Sequence, residues 1–112
     1  MPIVAVIPNP HGKGPPLKLT GQLDRVVDLG HEVLIVDYKT NRPPPTDPAG
    51  IAEAYLLQLA AYRLAIARLF KGAHVRAAIL WTDGPRIMEI PAPMLEAQQQ
   101  RLWQLESASL DA

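Results

Sequence analysis

The stretch LKLTGQLDRVVDLGHEVLIVDYK, residues 17–39, decides the fold. Apolar and polar residues alternate on both sides of Leu29-Gly30, the pattern of two strands joined by a tight turn. One strand is expected over 17–28, with Gly21 as a bulge or a point of close backbone approach, and a second over 31–39. The second follows a strongly apolar run, VLIV, with Asp37-Tyr38-Lys39. Strand side chains alternate, so Asp37 and Lys39 point to one face. Thirteen residues before Asp37 stands Asp24. A two-residue turn at Leu29-Gly30 sets position 24 opposite position 35, which leaves Asp24 diagonal to Asp37 on the same face. Two converging carboxylates suit a hard cation such as Mg²⁺. A lysine beside them can orient or activate an attacking water, or offset charge developing on a phosphorane. An Asp-x-Lys triplet is common by chance, and as a solvated pair it is worth little. A carboxylate closing an apolar run, matched by another on the neighbouring strand, is the less ordinary arrangement.

Outward from this hairpin, PIVAVI at 2–7 reads as a short buried strand, followed by a Gly/Pro loop over 8–16. After it, TNRPPP is a stiff exit. A helix is expected over 48–70, with Asp47 as N-cap, Pro48 in the first turn and Gly72 as the stop. Ile51, Tyr55, Leu59, Tyr62, Ile66 and Leu69 recur at three and four and form its buried stripe. Strands over 74–82 and 86–90 flank Asp83-Gly84, a hairpin signal. A last helix is expected over 92–108. The order β-β-β-α-β-β-α describes one α+β domain over 1–112, a mixed central sheet flanked by helices.

The 112 residues, 48% of them hydrophobic, support one core and exclude bulk disorder. With no cysteine, disulfides, thiol catalysis and cysteine-held zinc or iron–sulfur sites are excluded. No apolar run approaches 18 residues and the start is a poor signal peptide, so no membrane span and a cytoplasmic location are expected. The net charge is zero, with 11 basic and 11 acidic residues. Nucleic-acid binders draw most of their non-specific affinity from basic surfaces, so DNA would have to be held largely by something else.

GQLDR at 21–25, IVDYKTN at 35–41 and QLAAY at 58–62 resemble three successive motifs of the RecB-like branch of the PD-(D/E)XK nucleases. The resemblance implies a restriction-endonuclease-like fold and Mg²⁺-dependent cleavage of DNA, with Mn²⁺ able to substitute. By position it implies Asp24, Asp37 and the Tyr38 backbone carbonyl as metal ligands and Lys39 as a catalytic residue. Gln58 and Tyr62 would contact DNA or brace the catalytic strand. Arg25, beside the first motif, could touch phosphate. LWTDGPRIMEIP at 80–91 is similar to the end of AddA-type subunits of bacterial helicase–nucleases, which act in recombinational double-strand break repair. That likeness implies ATP-dependent helicase domains upstream and an AddB-like second subunit. The family core begins with a helix that completes the metal site. This chain starts at a strand, so that helix is expected to be missing, the chain to be the C-terminal part of a longer subunit, and its activity alone to be weak. An uncovered apolar sheet face would then favour a homodimer. Two alternatives compete: a non-catalytic nuclease-like scaffold that grips DNA or docks a subunit, and a stand-alone nuclease whose further ligand is His11 or comes from a second chain. Arg42, like Arg25, could touch phosphate or simply be solvated. His31 reads as a surface residue, His74 begins a strand without a partner that can be named, and Trp81 and Trp103 read as packing.

Overall fold

The computed structural model describes residues 1–10, 12, 14–104 and 107–109, without the side chains of 104 and 107–109. The strands are β1 (Pro2–Ile7), β2 (Leu17–Gln22), β3 (Arg25–Asp28), β4 (Glu32–Lys39), β5 (His74–Trp81), β6 (Arg86–Glu89) and β7 (Ser107–Ser109). The helices are α1 (Glu53–Leu69) and α2 (Ala92–Gln99). The fold is α+β, as expected, with its described strands in two sheets. One has the order β1-β2-β7, the other β3-β4-β5-β6. In the second sheet β4 and β5 run parallel and the hairpin strands antiparallel, so the sheet is mixed.

The strand expected over 17–28 is two strands. It breaks at Leu23-Asp24, where the chain leaves one sheet for the other. Leu23 is fully buried and exchanges backbone hydrogen bonds with Met1, which ends its service to the second sheet. The β3–β4 turn is also displaced. Leu29 N–H donates to Glu32 O at 2.8 Å, so Gly30-His31 forms the turn, with Gly30 at φ +90°. The side chain of Asp28 fixes it there by accepting from Gly30 N–H at 2.9 Å. Arg25 pairs with Val36 and Val26 with Ile35, a register two residues away from the expected one. An even displacement preserves the face, and Asp24 falls opposite Asp37 instead of diagonal to it.

The helix expected over 48–70 is interrupted. Asp47 does cap a turn, accepting from Ala49 N–H at 2.8 Å, but that turn is a 3-10 segment over Pro48–Gly50. Ile51 then goes extended and buries its side chain, and α1 starts at Glu53. Gly50 lies so close to Pro45 that an added Cβ would stand 3.1 Å from the proline Cβ. The last helix is shorter than expected. It ends at Gln99, a 3-10 turn follows at Leu102–Gln104, and Ser107–Ser109 pairs in parallel with Lys18–Thr20.

The core lies between the sheets and the helices. Ile3, Ile7, Leu17, Leu19 and Leu23 from the first sheet meet Val33, Ile35, Val75, Ala77, Ile79 and Trp81 from the second around Leu59, Tyr62 and Ile66 of α1. Each fully buried leucine or isoleucine contributes about 1.5–3 kcal/mol of transfer free energy, before entropy is counted. The other face of the second sheet carries Leu34, Tyr38, Leu80 and Ile87, and Ile87 is 60% exposed. Arg76 forms ion pairs there with Glu32 at 3.0 Å and with Glu89. Among the described residues, no helix is long and apolar enough to cross a membrane.

Candidate active site

Asp37 and Lys39 stand at the end of β4 on its core-facing side, where apolar packing leaves Asp37 3% and Lys39 9% exposed. Lys39 Nζ is 3.1 Å from Asp37 Oδ2. The ammonium is in ion-pair contact and pulls the Asp37 pKa down, and among the described residues no geometric hydrogen bond reaches Oδ2. An unsatisfied buried carboxylate oxygen is costly, and its persistence marks a place where another positive group can sit.

Asp24 reaches the same point from the break between β2 and β3. Its Oδ2 accepts from Tyr38 N–H at 2.7 Å, so a carboxylate stands where a strand partner would otherwise close the ladder. Lys39 O accepts from Thr82 N–H on the β5 side. Alternation along the strand therefore turns the Tyr38 N–H and C=O towards Asp24. The two carboxyl groups face each other closely enough for a proton on one to bridge to the other. Burial, and then the bond to Asp24, push the Asp37 carboxyl up to about 6, against the opposing pull of Lys39. Asp24 moves the other way. Its bond to Asp37 holds it below the usual carboxylate range against the effect of burial, aided by Tyr38 N–H and the Lys39 charge. Below about pH 6 and without a cation, one proton is thus kept between the two carboxylates, chiefly on Asp37.

The far side of the site is a helix face. Tyr62 is fully buried, and its hydroxyl both donates to Gln22 O at 2.9 Å and accepts from Gln22 N–H at 3.0 Å. It thereby fixes the end of β2, two residues before Asp24. Gln58, one turn earlier, is buried at 6% exposure. Another turn back, the Tyr55 ring lies under the Lys39 ammonium, 4.5 Å from centroid to Nζ. Tyr55 was legible only as part of the apolar stripe, and its contact with Lys39 is a tertiary one. Thr82, also missed, donates its backbone N–H to Lys39 O at 2.9 Å and shares a 2.6 Å hydroxyl hydrogen bond with Thr40.

The fold thus brings Asp24, Asp37, Lys39 and Tyr62 to one region. Arg25 is separated from them, since its pairing with Val36 directs it to the opposite face of the sheet from Asp37. Arg42 is exposed and 3.8 Å from Asp83, a weak surface pair. His31 and His74 are exposed and joined only through the backbone, His74 N–H to His31 O at 2.9 Å. Trp81 is fully buried against Tyr55, and Trp103 N–H reaches Ile7 O at 3.4 Å, so both indoles pack inside. His11 lies outside the described residues.

The donor set fits a divalent cation of the Mg²⁺ type. Two carboxylates, one with an oxygen lacking a donor, and a backbone carbonyl are hard oxygen ligands, and Mg²⁺ commonly takes one or two carboxylates and keeps water in its remaining positions. Among the described residues, no group of three or more His, Cys, Asp or Glu side chains assembles as a metal cage. No curated protein and no solved structure gives a significant match to the sequence. The profile of the PD-(D/E)XK nuclease superfamily matches residues 3–109, a span that takes in both sheets, both helices and the acidic pair. The chain therefore belongs to the PD-(D/E)XK nuclease superfamily.

Proposed function

We propose that the chain hydrolyses phosphodiester bonds of DNA with Mg²⁺, or Mn²⁺ in its place, as the nuclease domain of an AddA-type helicase–nuclease subunit in recombinational double-strand break repair. The observation that carries the reading is the buried Asp37 carboxyl, 3.1 Å from Lys39, with the Asp24 carboxylate beside it on the Tyr38 N–H. A folded protein gains nothing structurally from burying two acids and a lysine together, because desolvation offsets most of their attraction. The arrangement is economical for catalysis. Asp24, Asp37 and the Tyr38 carbonyl would hold the cation, which supplies Lewis-acid polarisation of the scissile phosphate. Lys39 would orient the attacking water and offset charge on the phosphoryl oxygens. Tyr62 and Gln58 would keep the Asp24 segment in place. The helicase part and an AddB-like subunit would deliver the strand, which accords with the absence of net charge here.

One observation favours the scaffold alternative: among the described residues no third ligating side chain joins the acidic pair. The discriminating experiment is cleavage of single- and double-stranded DNA in Mg²⁺, in Mn²⁺ and in chelator, by this chain and by a subunit that contains it. Slow cation-dependent cleavage by the chain, stronger in the subunit and absent from Asp37→Asn, is the expected result. A folded subunit that grips DNA and never cuts it would establish the scaffold instead.

A further inference from the structure

Lys39 is nearly buried, and a buried ammonium needs compensation that stays in place. Asp37 supplies part of it at 3.1 Å. Among the described residues Asp37 Oδ2 also has no hydrogen-bond donor, so Asp37 is the carboxylate more open to a cation. Once a dication draws on that charge, the pull of Asp37 on the ammonium falls and the dication itself repels Lys39. A second carboxylate could not solve this, because it would be drawn to the cation too. An aromatic face could, since it attracts an ammonium while bearing no net charge and no strong ligand atom.

Tyr55 presents such a face. The Lys39 Nζ lies 4.5 Å from its ring centroid, inside the range of a cation–π contact. The ring is itself fixed from two sides. The Trp81 indole lies 6.4 Å away at an interplanar angle of 44°, and the Tyr55 hydroxyl donates to Asn41 Oδ1 at 3.3 Å. Trp81 is also the residue across from Lys39 in the β4–β5 ladder, so the strand pair that carries the lysine carries the support for its ring. The geometry points to Tyr55 as a positioning residue, a neutral anchor that keeps the Lys39 ammonium in place when the charge of Asp37 is drawn to a cation. The inference rests on the nuclease reading for its consequence in catalysis, but not for its geometry.

Two measurements separate these. In the 112-residue chain, the ring current of Tyr55 should displace the Lys39 ε-methylene proton signals upfield of those of the other lysines. Tyr55→Phe should keep the displacement and Tyr55→Leu remove it, and saturating Mg²⁺ should leave it in place. A displacement that persists in Tyr55→Leu, or vanishes from the wild type on adding Mg²⁺, overturns the anchor. In cleavage assays, Tyr55→Leu should lower kcat by about tenfold or more, with KM for DNA and Mg²⁺ affinity unchanged, and Tyr55→Phe should stay within about threefold of the wild type. Fluorinated phenylalanines at position 55 keep the ring shape while draining negative charge from its face, so kcat should fall stepwise with fluorine number. That series decides the matter if Tyr55→Leu does not fold. A flat series, or equal losses in Tyr55→Phe and Tyr55→Leu, would assign the effect to the Asn41 hydrogen bond or to bulk, and overturn the proposal. A wild type that cuts no DNA would end the nuclease reading and leave the proton-shift measurement to decide on Tyr55.

Discussion

Raising the pH of the cation-free protein should weaken it, because burial, and then the neighbouring Asp24 carboxyl, favour a proton on Asp37. The Asp37 carboxyl titrates near 6 in the folded chain, against 3.8 for an ordinary aspartate. A gap of about 2 pH units is worth roughly 3 kcal/mol at about 1.4 kcal/mol each. The folded state holds this proton more tightly than the unfolded chain. The stabilisation is therefore complete below about pH 4 and is lost as the pH rises to about 6. Asp24, shifted downward, works in the opposite sense, but it does so below the ordinary carboxylate range and leaves the window from 4 to 6 to Asp37. For a chain of this length, 3 kcal/mol corresponds to a fall in Tm of about 10 °C. Other carboxylates also titrate, so the informative quantity is the difference from Asp37→Asn, which cannot lose a proton. Calorimetric melting at half-unit pH steps, without metal, should show the wild type losing stability relative to Asp37→Asn between pH 4 and 6. At pH 7 the variant should be at least as stable as the wild type. A pH-independent difference, or a variant markedly weaker at pH 7, would refute the shared proton.

Cation binding should require both acids, so calorimetry with Mn²⁺ should find a site that Asp24→Asn and Asp37→Asn each abolish. Its affinity should fall as the pH drops below about 6, because the cation must displace the Asp37 proton. Lys39→Ala should bind Mn²⁺ as the wild type does yet fail to cut DNA in the full subunit, and wild-type cleavage rates would remove Lys39 from the reaction. Tyr62→Phe leaves both the N–H and the C=O of Gln22 without their hydroxyl partner, which should cost about 1–3 kcal/mol in urea unfolding and lower cleavage as well.

Legibility in the sequence followed the range of the contacts. The hairpin and the Asp-x-Lys strand end were readable because alternation is a local signal. The turn was placed one residue early because the Asp28–Gly30 contact that centres it on Gly30-His31 is invisible in a count of turn residues. That error moved the register by two and left Asp24 on its face, so the pairing of the acids survived it. Asp47 and Pro48 were true cap signals, but for a 3-10 turn. The interruption before Glu53 depends on Gly50 packing against Pro45, a tertiary contact. β7 was lost because Ser107–Ser109 pairs with residues nearly ninety positions earlier, and nothing in three small residues announces a strand. The separation of Arg25 from the acids came with the same register that joined them.

The hydroxyl of Tyr62 satisfies both backbone groups of Gln22, the service a neighbouring strand normally performs. A strand end ordinarily frays on its own, independently of any helix behind it. Here the last residue of β2 cannot open unless α1 withdraws or the tyrosine leaves its buried seat. Amide exchange at Gln22 should accordingly share the protection of the middle of α1, so that strand end and helix open as one cooperative unit. Asp24 lies two residues beyond that clasp, and its position is guarded by the stability of a helix to which it does not belong.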